Sequence, residues 1–164
     1  MTAPKAKRIQ PPAPDLDASA DYADAFEILI GENDSRTAEQ AFRDGLGAEP
    51  GAGGRLVLWV HRHVLRFRLG PFTSSDHVIG WKIVYSDPDQ FVLSADGSLM
   101  RGQLAMSRQA DRHAVLTTQL FYRRHAAARM VWAVVGPMHR AIAPRLIEHS
   151  AGAPLHPRLA ASRR

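Results

Sequence analysis

The segment from His113 to Ser150 constrains this chain more than any other. A strand-like run, HAVLTTQLFYRRH, passes directly into a helix-like run holding two prolines, ARMVWAVVGPMHRAIAPRLIEHS. At the ~100° per residue of an α-helix, Val131, Val134, Val135, Met138, Ile142 and Leu146 share one side, and Pro137 and Pro144 share the opposite one. A proline ring clashes with the carbonyl one turn back and removes a hydrogen bond, so a helix bends away from it. Both prolines are expected to curve the apolar face into a concavity, shaped to wrap the sheet formed by the preceding strands.

A chain of 164 residues holds one domain with a proper core. It has no cysteine, so disulfides and thiolate metal sites are excluded, in keeping with a reducing compartment. The longest apolar run, Met130 to Val135, falls far short of the ~20 residues that span a bilayer. Lys5, Lys7 and Arg8 are followed by prolines where a signal peptide needs its apolar region. A soluble, cytoplasmic protein without a membrane span is expected. The net charge of +5 invites a nucleic-acid reading. Much of the excess lies at the ends, however, and no motif of a nucleic-acid module is present. No nucleic-acid partner is expected.

Residues 1–20 and 152–164, rich in Pro, Ala and charge without periodicity, are expected to be disordered tails around a folded domain at 21–151. Tyr22, Asp24, Phe26, Ile28 and Ile30 alternate along a strand closed by Gly31. Ser35 offers an N-cap for a short helix over Thr37 to Leu46. GAGG at Gly51 to Gly54 reads as a hinge or turn. Leu56, Val60, Val64 and Phe67 then predict a second helix, Arg55 to Leu69, ended by Gly70-Pro71. Four antiparallel strands follow, with cores Ile79–Tyr85, Gln90–Ala95, Leu99–Ser107 and His113–Arg123. Asp87-Pro88-Asp89 suits a type I-like corner, Asp96-Gly97 a hairpin with a positive-φ position, and Gln109 to Arg112 the third turn. This order predicts an α+β domain with helices on one face of a curved antiparallel sheet.

The order of elements and three stretches resemble the bacterial family labelled domain of unknown function 2867. The stretches are YADAF from Tyr22, RLVLWVHRHVLRFRLG from Arg55 to Gly70, and GPMHRAIAPRLIEH with Pro137, His139, Arg140 and Pro144. The resemblance implies membership of the superfamily of polyketide cyclases and START-type lipid-transfer proteins (SRPBCC). It implies the helix-grip (START/Bet v 1-like) fold, a curved antiparallel sheet gripped by a long proline-kinked C-terminal helix over an apolar cavity. Only four long strands lie just before the last helix, which points to a small or filled cavity. Related domains occur fused behind nicotinamide-dependent reductase-like domains. No G-x-G-x-x-G between strand and helix occurs here, so an oxidoreductase partner would be another chain, and no cofactor is expected.

His139, about 60° from the centre of the apolar stripe, is either a polar group at the cavity rim or a helix residue that bonds a nearby loop. His61 and His63, two apart on a helix, point to different sides and cannot chelate one ion, so no metal site is expected. Arg62 either caps the groove or is simply exposed. Trp81, Tyr85, Phe91, Leu104, Met106, Leu116, Leu120 and Tyr122 are the large side chains of the sheet, and register decides which face the helix. No nucleophile elbow or paired carboxylate is present.

The expected function is binding of a small apolar or amphipathic molecule between the sheet and the last helix. Its walls are Trp81, Phe91, Leu104, Met106, Leu116, Leu120, Tyr122, Val131, Val134 and Met138, and its polar anchors are His139 with Tyr122 or Arg62. Two alternatives stand beside it: a cyclase- or hydratase-like enzyme with His139 as acid or base, and a cavity-less interaction module that partners a reductase.

Overall fold

The computed structural model describes residues 4–47 and 49–152; the expected C-terminal tail beyond Gly152 lies outside them. In chain order the elements are β1 (Lys7–Ile9), β2 (Tyr22–Leu29), α1 (Ala38–Leu46), α2 (Ala52–Trp59), β3 (His77–Val78), β4 (Trp81–Ser86), β5 (Gln90–Asp96), β6 (Met100–Arg108), β7 (His113–Tyr122) and α3 (His125–Gly152). A 3₁₀ turn, Ala13–Asp15, precedes β2, and a π-helical turn, Val60–Val64, continues α2. All strands join one antiparallel sheet in the order β1-β2-β7-β6-β5-β4-β3. α3 lies across β2 and β7 on the inner face, alongside α1. This α+β arrangement is compatible with a helix-grip fold.

Alternation explains the sheet. On β7, Leu116, Thr118 and Leu120 face α3, opposite Phe26, Asp24 and Tyr22 of β2. The other face of β7 is also buried at Val115, Thr117 and Gln119, and here the expected N-terminal tail is corrected. The Asp17 amide donates to Gln119 Oε1 (2.7 Å), and Gln119 Nε2 donates to the Asp15 carbonyl (2.6 Å). β1 pairs with β2, and the Ala6 amide donates to Glu148 of α3 (2.9 Å). The composition of 1–20 is that of a tail, but its backbone satisfies polar groups that the sheet would otherwise bury unpaired.

The helices depart from the expected boundaries for local reasons. Thr37, rather than Ser35, caps α1 in a capping box with Gln40. The GAGG stretch is no hinge: Gly51 is the N-cap of α2, and the glycines that follow form its first turn. The predicted helix to Leu69 stops at the π turn, because Arg66 adopts φ 57° and Phe67 bridges to Gly97. Gly97 does not take the expected positive φ; it is needed because a Cβ there would lie 2.6 Å from the Arg66 carbonyl oxygen.

α3 runs unbroken through Pro137 and Pro144. Its fully buried side is Ala128, Trp132, Val135, Gly136, Ala143, Ile147 and Ser150, whereas Val134 is 78% exposed. The inward face is therefore rotated from the expected stripe. Four of these seven buried residues are small (Ala128, Gly136, Ala143 and Ser150), and a stripe drawn through the largest apolar side chains misses them.

Gly102 on β6 is the tightest glycine beside the inner aromatic cluster: a Cβ would lie 2.6 Å from Trp81 and 3.0 Å from Phe67. Gly102→Ala is expected to lower the unfolding free energy by about 1–3 kcal/mol through overpacking, measured by urea denaturation. Gly53→Ala, with nothing within 4 Å of the new carbon, is expected to leave it unchanged or slightly higher.

Candidate functional site

Between α3, the inner sheet face and the π turn lies a cavity of about 90 Å³. Its walls are almost wholly apolar. β4, β6 and β7 supply Trp81, Leu104, Leu116 and Leu120; α3 supplies Trp132, Val135, Met138 and Ile142. Polar groups come from Thr118 on β7, His139 on α3 and His61 on the π turn, with the indole N–H groups of Trp81 and Trp132 beside them.

Six of the twelve residues expected at a site line this cavity: Trp81, Leu104, Leu116, Leu120, Met138 and His139. The other six do not. Phe91 and Met106 are buried, with Phe91 packed on Phe42 of α1, because α1 rather than α3 covers that end of the inner face. Tyr122 sits beside His125 where β7 meets α3, and Val131 is a half-buried core neighbour. Val134 faces outward. Arg62 is exposed on the outer side of the π turn, so it does not serve as an anchor here.

His139 is held by a group that was not anticipated. Its Nε2 lies 3.3 Å from both carboxylate oxygens of Asp24, whose side chain is fully buried. The Tyr22 hydroxyl donates to Asp24 Oδ2 at 2.6 Å. Burial pushes the Asp24 carboxyl upward, but the hydrogen bond and charge of His139, the Tyr22 hydroxyl and the charge of Arg8 outweigh it, leaving its pKa below the usual value. An ionised carboxylate only accepts hydrogen bonds, so His139 Nε2 carries the proton toward it. Burial, with the bond to Asp24 next, raises the Tyr22 hydroxyl to about 12 and keeps it a donor. His139 thus fixes helix to sheet through a strand partner rather than the expected loop, while also lining the cavity. A sequence signal for Asp24 existed: it shares the inward side of β2 with Tyr22, Phe26 and Ile28, a carboxylate on an apolar strand face.

The π turn brings in His61. Trp81 Nε1 donates to His61 Nδ1 (3.2 Å), and the imidazole packs against the rings of Phe67 and Trp81. Burial, and after it the charge of His139, depresses the His61 pKa to about 4. At neutral pH the ring is uncharged, with Nδ1 accepting and the proton on Nε2. His63 instead faces outward against Trp59, the divergence that two-residue spacing predicts. Nothing in the sequence marked His61 as inward, because a π turn shifts the phase of every side chain after it.

Two polar atoms of cavity-lining residues lack a partner. Thr118 Oγ1 and Trp132 Nε1 are buried and have no hydrogen-bond partner among the described residues, and both residues line the cavity. Buried polar atoms are otherwise nearly always paired. Among the described residues no cluster of three or more His, Asp or Glu is placed to hold a metal ion. Chemically, the cavity offers donors from an indole, a hydroxyl and imidazole to an otherwise apolar guest.

The His61 shift sets a pH dependence. Between pH 6.5 and about 4 the unfolded chain takes up a proton that the folded protein refuses, so stability falls as pH drops through this window, by about 3 kcal/mol in total. The Asp24 contribution, from a depressed pKa, is full above the ordinary carboxylate value and is lost only as pH falls further. His61→Gln can keep an acceptor for Trp81 but does not titrate. Urea unfolding across pH 4 to 7 is expected to show a shallower loss in this variant than in the wild type.

No curated protein matches this sequence significantly. A family model, described as "Protein of unknown function (DUF2867)", matches residues 17–146, a span that includes β2, the π turn, the whole sheet from β3 onward and α3 through the cavity-lining residues. The chain belongs to this DUF2867 family.

Proposed function

We propose that this domain binds one small, largely apolar molecule carrying a single polar oxygen group between its sheet and α3. The observation that carries this reading is the pair of unpartnered atoms, Thr118 Oγ1 and Trp132 Nε1, on the wall of an apolar cavity. An apolar pocket with a few placed polar groups is the ordinary form of a small-molecule site. At about 90 Å³ the cavity is smaller than the ~150 Å³ void that accepts benzene. It admits a compact molecule or the end of a chain, not a whole lipid. His139, oriented by Asp24, and neutral His61 supply the remaining polar contacts. Within the same reading the fold is a helix-grip member of the polyketide cyclase and START-type superfamily, with α3 bent at its prolines around the sheet. A bacterial origin and a separate oxidoreductase partner follow from the resemblance, and a cytoplasmic setting fits a chain without cysteine.

A second reading rests on the Tyr22–Asp24–His139 set. A histidine oriented by a buried carboxylate at a cavity wall is the geometry of an acid–base residue. With Nε2 committed to Asp24, proton transfer to a guest would use Nδ1. This favours a cyclase- or hydratase-like activity over an interaction module, whose interior would be filled.

Native mass spectrometry of the gently purified protein, with denatured extracts analysed in parallel, tests the binding. An adduct of one small molecule per chain is expected, lost in Met138→Trp, which fills the cavity, and weakened about tenfold in Thr118→Val through the lost hydrogen bond. Retention of the adduct in Met138→Trp would place the ligand elsewhere and overturn the proposal.

A further inference from the structure

The stretch Pro50 to Ser75 contains no Asp or Glu but carries Arg55, Arg62, Arg66 and Arg68. All four arginines are exposed, and among the described residues none forms an ion pair. The same stretch presents apolar surface. α2 fully buries none of its residues; Leu56 is 53% and Trp59 55% exposed. Beside α2 an open groove of about 320 Å³ is lined by Leu58, Trp59, Arg62, His63, Leu69 and Phe72, among others. Trp81 and Trp132, by contrast, are buried.

Four unpaired guanidinium groups in one segment with an exposed Leu and Trp, and without Asp or Glu in that segment, match the two layers of a bilayer surface. Arginines engage lipid phosphates, and the indole and leucine enter the boundary between headgroups and acyl chains. A nucleic acid would answer the charge but leave Leu56 and Trp59 in water. We propose that α2, the π turn and the adjoining groove dock this protein onto an anionic lipid surface. The docking goes beyond the ligand reading and does not depend on it, although Val57 and His61, which belong to the same segment, line the cavity.

Co-sedimentation of the full chain with vesicles tests this, comparing phosphatidylcholine alone with a mixture holding about 30% phosphatidylglycerol. Binding is expected to the anionic vesicles only, and to weaken as salt rises from about 0.1 to 0.5 M. Arg62→Gln and Arg66→Gln should each weaken it about fivefold. Leu56→Ala with Trp59→Ala should weaken it at least about tenfold, with an unchanged thermal midpoint because both side chains are largely exposed. Brominated lipids should quench wild-type tryptophan emission but not that of Trp59→Phe. Four results would each overturn the proposal: no binding to anionic vesicles, equal binding to neutral ones, binding indifferent to these substitutions, or a homodimer in sedimentation that buries Leu56 and Trp59. Tighter retention on duplex DNA than on vesicles would do the same.

Discussion

The carboxylate of Asp24 is fully buried, and a charge in that position is tolerable only while its partners stay in place. Tyr22 and His139 are those partners, one on the same strand and the other on α3. Removing one side of a buried pair commonly costs about 3–5 kcal/mol, so the pair specifies how α3 sits on the sheet as well as stabilising it. The apolar contacts of α3 are non-directional and would tolerate small rotations. The bond from His139 to Asp24 is directional and would not.

The cavity exists because the groups above and below it are mismatched in size. α3 buries small residues such as Ala128, Gly136 and Ala143, while the large rings of Trp81, Trp132 and Phe67 line the space between helix and sheet. The π turn supports the far wall, setting His61 against Trp81. The N-terminal segment closes the opposite face of β7, so both faces of the central strand are covered and the sheet holds its shape beneath the site. Thr118 and Trp132, each with an unpaired buried polar atom, line the space that the fold leaves open.

Much of the framework was legible in the residues. Period-two alternation placed five strands, and the Asx turn at Asp87, whose carboxylate accepts from the amides of Asp89 and Gln90, joins two of them as its chemistry requires. Half of the expected site residues meet at the cavity: four on sheet strands whose alternation is legible in the sequence, and Met138 and His139 on α3, whose phase is not. The failures have separable causes. Phe91 and Met106 face inward as alternation demands, but which helix covers them is a matter of packing. Val134 is large and apolar yet faces solvent, because apolar size alone does not decide which side of a helix turns inward. His61 lies beyond a change of helical type that leaves no mark in composition. Asp24 was visible on the inward side of β2, yet only the approach of His139 shows why a carboxylate is kept there.

By itself the sequence determined the alternation of strands and helices, the turn positions and the identity of the groups available to a site, because these depend on interactions between residues close in the chain. The tertiary structure decided the phase of α3, the partner of His139, the inward turn of His61 and the existence of an open space beside Thr118. Those features depend on contacts between residues far apart in the chain, such as Asp24 and His139 at a separation of 115 positions, and on how side chains of unequal size fill a shared interior. Local pattern carries no information about either.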